Sequence, residues 1–186
     1  MTRLSPVLTT ADLPLSELHA ARLDGELFPL NACFCPIDEP EWAGLRAETI
    51  SRQWPDRLIA EQRSAAWVLG VLPFAPERHE LCADIAARAR PASLHGVTVR
   101  EVVIEPDEIV RIGRLDVTNP LRTLVDIARF SSTFSVAEYE ICAALAELGG
   151  VTLEDCMTAL DRRRNLPNKR VARKRLSRLS ALAGTS

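Results

Sequence analysis

Residues 25–36, GELFPLNACFCP, carry two cysteines one residue apart in a run of alternating apolar and turn-forming residues. Alternation puts Cys33 and Cys35 on one face of an extended segment and Phe34 on the other. Glu26 to Leu30 and Ala32 to Cys35 can then pair through a tight turn at Asn31, with Pro36 ending the second strand. A tetrahedral zinc site would need four ligands, commonly in C-x2-4-C pairs. Here the spacing is one residue, no second pair exists, and His19 or His79 would have to be recruited from afar. The stretch therefore predicts a β-ribbon with inward thiols and no metal.

Working outward, residues 12–24, DLPLSELHAARLD, predict one short helix: Asp12 or Ser16 can cap it, Leu15, Leu18 and Ala21 or Arg22 recur at helical spacing, and Gly25 stops it. A helix followed by a hairpin is the second half of a winged helix-turn-helix. The acidic, turn-rich IDEPEWAG (37–44) reads as a joint, which makes residues 1–38 a partial winged-helix module. Beyond it, helical patterns span Glu41 to Gln53 and Asp56 to Leu69, with Asp56 as a cap. After the breaker LPFAP come strand patterns at His79 to Ala83, Val97 to Ile104, Ile109 to Ile112 and Leu115 to Thr118. The gaps between the last three are too short for helical crossovers, so a small, mostly antiparallel sheet is expected.

Asn119-Pro120 opens the next helix by capping logic: the asparagine is the cap, and proline sits where its missing N–H costs nothing. Ser135-Val-Ala-Glu138 is a capping box, closed downstream by Gly149-Gly150, and Thr152 with Asp155 is a second. A last helix over Pro167 to Ala183 has Ala172, Leu176, Leu179 and Ala183 on one stripe and arginines elsewhere. The fold class expected is α+β: the partial winged helix-turn-helix (1–38), an α+β middle domain (39–132) and a helical C-terminal region with a basic tail (133–186).

Of the 186 residues, 47% are hydrophobic and 26% charged, an ordinary globular balance. No apolar run approaches the roughly 20 residues of a membrane span, and the N-terminus lacks the apolar stretch of a signal peptide, so a cytoplasmic protein is expected. The five cysteines are scattered and odd in number, which argues against a disulfide framework. The net charge of −2 hides an asymmetry: residues 161–178 carry +8, and residues 1–160 carry −10. Arg162, Arg163, Arg164, Lys169, Arg170, Arg173, Lys174 and Arg175 are therefore the candidates for contact with an anion. The competing reading is a solvated helix that complements the acidic body. Membrane attachment is not expected, because the apolar stripe has no aromatic anchor.

Enzyme signatures are missing. There is no G-x-S-x-G elbow, no phosphate-binding glycine loop and no dinucleotide fingerprint. Pro106-Asp107 followed by Asp116 looks like the start of a metal-dependent nuclease site, but Val117 and Thr118 stand where that site needs its basic residue. Neither catalysis nor a cofactor is expected. Arg122, Asp126 and Arg129 stand three and four apart and predict a charge network along the polar face of their helix, serving either as an ion-pair ladder or in partner binding.

Taken in order, RSAAWVLG (63–70), VTVREVVIEPDEIVRI (97–112) and DVTNPLRTLVDIAR (116–129), with the helix and ribbon before them, resemble the AbiEi-type antitoxins of type IV toxin–antitoxin systems in their actinobacterial form. The resemblance covers nearly the whole chain. It implies a winged-helix N-terminus that binds operator DNA and represses its own operon, and a C-terminal domain that counters a nucleotidyltransferase toxin. By that analogy the recognition helix is Leu15 to Asp24, with Ser16, His19, Ala20 and Arg22 facing out, and Asn31-Ala32 is the wing tip. A full winged helix-turn-helix has three helices, whereas one fits here, and residues 1–40 carry a net charge of −4. DNA binding then comes from the tail, from a homodimer, or not at all. The alternative is a protein-interaction scaffold derived from a nuclease-like fold without its catalytic site.

Overall fold

The computed structural model describes residues 5–87 and 95–183. Helix α1 (Leu15–Leu23) leads into the ribbon β1 (Leu27–Leu30) and β2 (Cys33–Pro36). The strands pair antiparallel with Leu30 opposite Cys33, and Asn31 takes the left-handed conformation (φ 56°) that a tight hairpin turn demands. Leu8 bridges Phe34 on the free side of β2, so the segment before α1 widens the ribbon. Neither Asp12 nor Ser16 caps α1; Pro14 stands at the cap, and Asp12 instead accepts from Thr9 and from Arg52.

Helix α2 (Ala43–Ser51) follows, then β3 (Ile59–Ala60), α3 (Gln62–Val68), β4 (His79–Asp84), β5 (Val97–Val102), β6 (Ile109–Ile112) and β7 (Leu115–Thr118). The five-stranded sheet runs β5-β4-β3-β7-β6. The short-gap argument holds for β6 and β7, an antiparallel hairpin. The sheet as a whole is more mixed than the spacing suggested, since β4–β5 and β3–β7 are parallel. The reason lies at its centre. Residues 56–69 read as one helix, yet Ile59 and Ala60 form the middle strand, paired with β4 on one side and β7 on the other. A short, fully buried strand cannot be told from a buried helical segment by periodicity alone. The chain turns from strand to helix at Gln62, whose φ is 48°.

Four helices close the fold: α4 (Pro120–Phe130), α5 (Val136–Gly149), α6 (Leu153–Asp161) and α7 (Lys169–Ala183). Both predicted capping boxes form, and Gly150 ends α5 in the left-handed conformation. Among the described residues no helix is long and apolar enough to cross a membrane.

Two main cores meet at α3. Trp67, Ala65 and Val68 join the ribbon residues Val7, Leu30, Cys33 and Cys35 with Leu45, Leu81 and Val117 in one cluster. Ala66, on the same helix, joins Leu124, Ile127, Cys142, Leu145, Leu160 and Leu176 in the other. The apolar face of the ribbon is thus continuous with the core of the sheet. Small residues at Ala65 and Ala66 let both layers approach the helix axis. Arg46 from α2 donates to the carbonyls of Trp67 and Leu72 (2.6 and 3.0 Å), tying α2 to the last turn of α3 and to the segment beyond it.

The Asn119 side chain accepts from the Arg122 amide at 2.8 Å and donates to the Asp107 carbonyl at 2.7 Å, so one residue both caps α4 and fastens the turn before β6. Asn119→Ala is expected to lower stability by about 1–2 kcal/mol. Asn119→Asp, which keeps the cap and loses the donor, should fall between that variant and wild type in urea denaturation.

Candidate functional site

The basic segment divides into cations that are engaged and cations that are free. Arg162 reaches Asp107 at 3.0 Å, Arg163 reaches Glu108 at 2.8 Å, and Lys169 and Arg173 share Asp161 at 2.7 and 2.8 Å. Arg175 donates to the Ala128 carbonyl and lies over the Phe134 ring. These five hold the C-terminal helices to one another, to α4 and to the turn before β6. Arg164, Arg170, Lys174 and Arg178 are exposed and make no ion pair among the described residues. Arg170, Lys174 and Arg178 recur at four-residue intervals on α7, which sets them in a row rising about 6 Å per step. Ala172 and Leu176 are buried against the rest of the bundle.

In the N-terminal module Ser16, Ala20 and Arg22 are exposed on α1. His19 is exposed too, with its ring edge-on to Phe34 (5.4 Å between centroids). Asn31 is placed differently. Its side chain turns toward the sheet, and His79 Nε2 lies 3.1 Å from its Oδ1. The other ring nitrogen of His79, Nδ1, lies 2.8 Å from Ser64 Oγ, which in turn accepts from the Glu80 amide at 2.9 Å. One assignment satisfies the chain of bonds: a neutral imidazole that donates from Nε2–H to Asn31 and accepts at Nδ1 from the serine hydroxyl. The rings of Trp54 and Trp67 flank it. Ser64 is fully buried and His79 nearly so, which makes this a latch between ribbon and sheet and leaves the serine out of reach of a substrate. Residue identity at position 79 hinted at a strand and nothing more; only the fold joined it to positions 31 and 64.

The thiols of Cys33 and Cys35 lie on the buried face of the ribbon, and burial pushes them up to about 11 and about 12. Cys33 Sγ sits 3.8 Å from the Thr49 carbonyl and from Gln53 Nε2. The two aspartates of the nuclease-like pattern are each taken by an arginine, Asp107 by Arg162 and Asp116 by Arg111.

The densest charge cluster surrounds Asp126. Every residue of α4 from Arg122 to Arg129 is buried, so the charge network expected along the polar face of this helix is internal. Asp126 accepts from Arg122 (2.9 Å), Arg129 (2.7 Å) and Arg100 on β5 (3.4 Å). Arg100 also grips Glu61 through two nitrogens at 2.7 and 2.5 Å, and Arg122 donates to Glu108 at 2.7 Å. Burial pushes the Glu61 carboxyl up against the pull of Arg100. Burial opposes the charge of Arg122 as well, but Asp126 and Glu108 more than offset it and hold the guanidinium above its ordinary range. Arg129 is held below that range, by burial first and by the neighbouring Arg122 and Arg100. Sequence spacing suggested Arg122, Asp126 and Arg129 as a set; Arg100 comes from β5 and Glu61 from the junction of β3 and α3, and neither carried a local signal.

No family model matches the chain, and no curated protein does. Among solved structures, the crystal structure of the RV2827C protein from Mycobacterium tuberculosis is similar with a TM-score of 0.50 and 20% identity, over 96% of this chain and 72% of that one. At that identity the likeness shows the fold alone.

Two measurements test the geometry. Asp126→Ala leaves the buried Arg129 without a carboxylate and takes one partner each from Arg122 and Arg100, and should cost about 3–5 kcal/mol in urea denaturation. Burial holds His79 at about 4 against an ordinary 6.5. Below 6.5 the unfolded chain takes up a proton that the native state refuses, so stability falls with pH across that window, by about 3 kcal/mol in full. His79→Gln should be less stable at neutral pH and show a shallower loss between pH 6.5 and 4.

Proposed function

We propose that the chain is a non-enzymatic, antitoxin-like transcriptional regulator of the cytoplasm, which binds operator DNA, represses its own operon and counters a nucleotidyltransferase-type toxin. The observation that carries the DNA-binding part is the unpaired row of Arg170, Lys174 and Arg178 on α7, with Arg164 just before it. Consecutive phosphates on one strand of duplex DNA are spaced by a distance close to one step of that row, and guanidinium and ammonium groups displace their counterions. Helix α1, with Ser16, His19 and Arg22 exposed and the ribbon at its back, supplies the base-reading element. Because Asn31 is occupied by His79, the ribbon braces that helix and takes no part in contact through Asn31. The toxin partnership rests on the resemblance carried by residues 63–70 and 116–129.

A second reading, a protein-interaction scaffold, is favoured by the apolar exposure on the acidic module: Leu23 is 85% exposed and Ile37 64%. Under the first reading, a homodimer joined through this edge would double the number of cations offered to DNA.

Salt-dependent binding to the DNA upstream of the chain's own gene decides between them. Each phosphate contact contributes about 0.9 to the slope of log K against log salt, so replacing Arg170, Lys174 and Arg178 by glutamine should flatten it by about 2.7. No retarded complex at low salt would favour the scaffold.

A further inference from the structure

Beside the Asp126 cluster lies a cleft of about 370 Å³, floored by β5 and α4 and closed by the connection from α6 to α7. Four arginines line it: Arg100, Arg122, Arg129 and Arg163. Three carboxylates sit behind them: Glu61, Asp126 and Glu108. Glu101, exposed, stands at the rim. The inner shell thus holds one positive charge more than its carboxylates balance. The buried Arg122 and Arg129 and the partly buried Arg100 each commit part of the fork inward: Arg122 through Nε and Nη1, Arg129 through Nη1 and Nε, Arg100 through Nε and Nη2. Their remaining donors are held in fixed positions, with the ordering cost met by the protein's own ion pairs. Val102, Val103, Leu166 and Pro167 make the other wall apolar.

We infer that this cleft binds a small phosphate ester, its phosphoryl group on the arginines and its organic part on the apolar wall. Guanidiniums arriving from a strand, a helix and a loop suit a tetrahedral anion with several terminal oxygens better than a planar carboxylate. The volume falls within the range of small-ligand sites. Arg129, held below its ordinary range by burial and by its like-charged neighbours, is the group an added anion would relieve. The site does not involve the free cations of α7, so its fate is independent of DNA binding.

The test uses the whole chain with adenosine and uridine monophosphates, inorganic phosphate and citrate as probes, followed by calorimetry and thermal shift. Val103 is 54% exposed at the cleft, so Val103→Glu places there a carboxylate that repels an anion and competes for the free arginine donors. Arg163→Gln removes the most accessible of the four arginines. The inference expects saturable nucleotide binding at millimolar or lower concentration, weaker binding of inorganic phosphate, and at least a tenfold loss in both variants with melting temperatures near wild type. It is overturned if no nucleotide binds saturably, if neither substitution weakens binding, or if citrate or inorganic phosphate binds as tightly as the nucleotides.

Discussion

Asp126 has no exposed surface, yet three guanidiniums converge on it from two elements. A carboxylate taken that far from water is costly unless its lone pairs are filled by charged donors, and the donors are equally costly without the carboxylate. The cluster therefore admits one arrangement of its parts. It sets α4 against β5 through Arg100, against the turn before β6 through Arg122 and Glu108, and against the α6–α7 connection through Arg129, which donates to the Pro167 carbonyl. Apolar packing around Leu124, Ile127 and Leu145 supplies the bulk of the attraction but is tolerant of small shifts. The ionic cluster adds direction, and direction is what places the C-terminal helices.

A smaller device does the same at the other end. The ribbon adds Val7, Leu30, Cys33 and Cys35 to the core of the sheet, which fixes its depth, while the bonds from Asn31 through His79 to Ser64 fix its lateral position. Both devices depend on α3. Ser64 reaches the latch, Trp67 packs toward the ribbon side, and Ala66 toward the helical side. Residues 64–67 are consequently the point through which the two halves of the molecule are held in one frame.

The distribution of cations follows from this frame. A segment with a local charge of +8 beside a body of −10 would be expected to collapse onto that body, and three of its nine cations reach it, Arg162 and Arg163 on carboxylates and Arg175 on the Ala128 carbonyl. Lys169 and Arg173 turn instead to Asp161 within the segment, and Arg162 and Arg173 stay about half exposed while engaged. Once Ala172 and Leu176 are committed to the core, helical geometry carries Arg170, Lys174 and Arg178 to the outside, where no carboxylate among the described residues pairs with them. Burial of the apolar stripe, more than charge, selects which cations remain available.

What the amino-acid sequence determined by itself were the features written in local chemistry. The Asn119-Pro120 start of α4, the capping boxes at Ser135 and Thr152, the stop at Gly150 and the ribbon around Asn31 are each decided by a few adjacent residues, whose backbone preferences and hydrogen bonds need no distant partner. Tertiary structure alone decided that Ile59 and Ala60 are a strand, because two residues become a strand only when neighbours supply hydrogen bonds on both sides. It also turned the Arg122, Asp126 and Arg129 face of α4 inward. A charged helical face ordinarily meets water, and it can be buried here only because Arg100, Glu61 and Glu108, far apart along the chain, arrive to complete the charges.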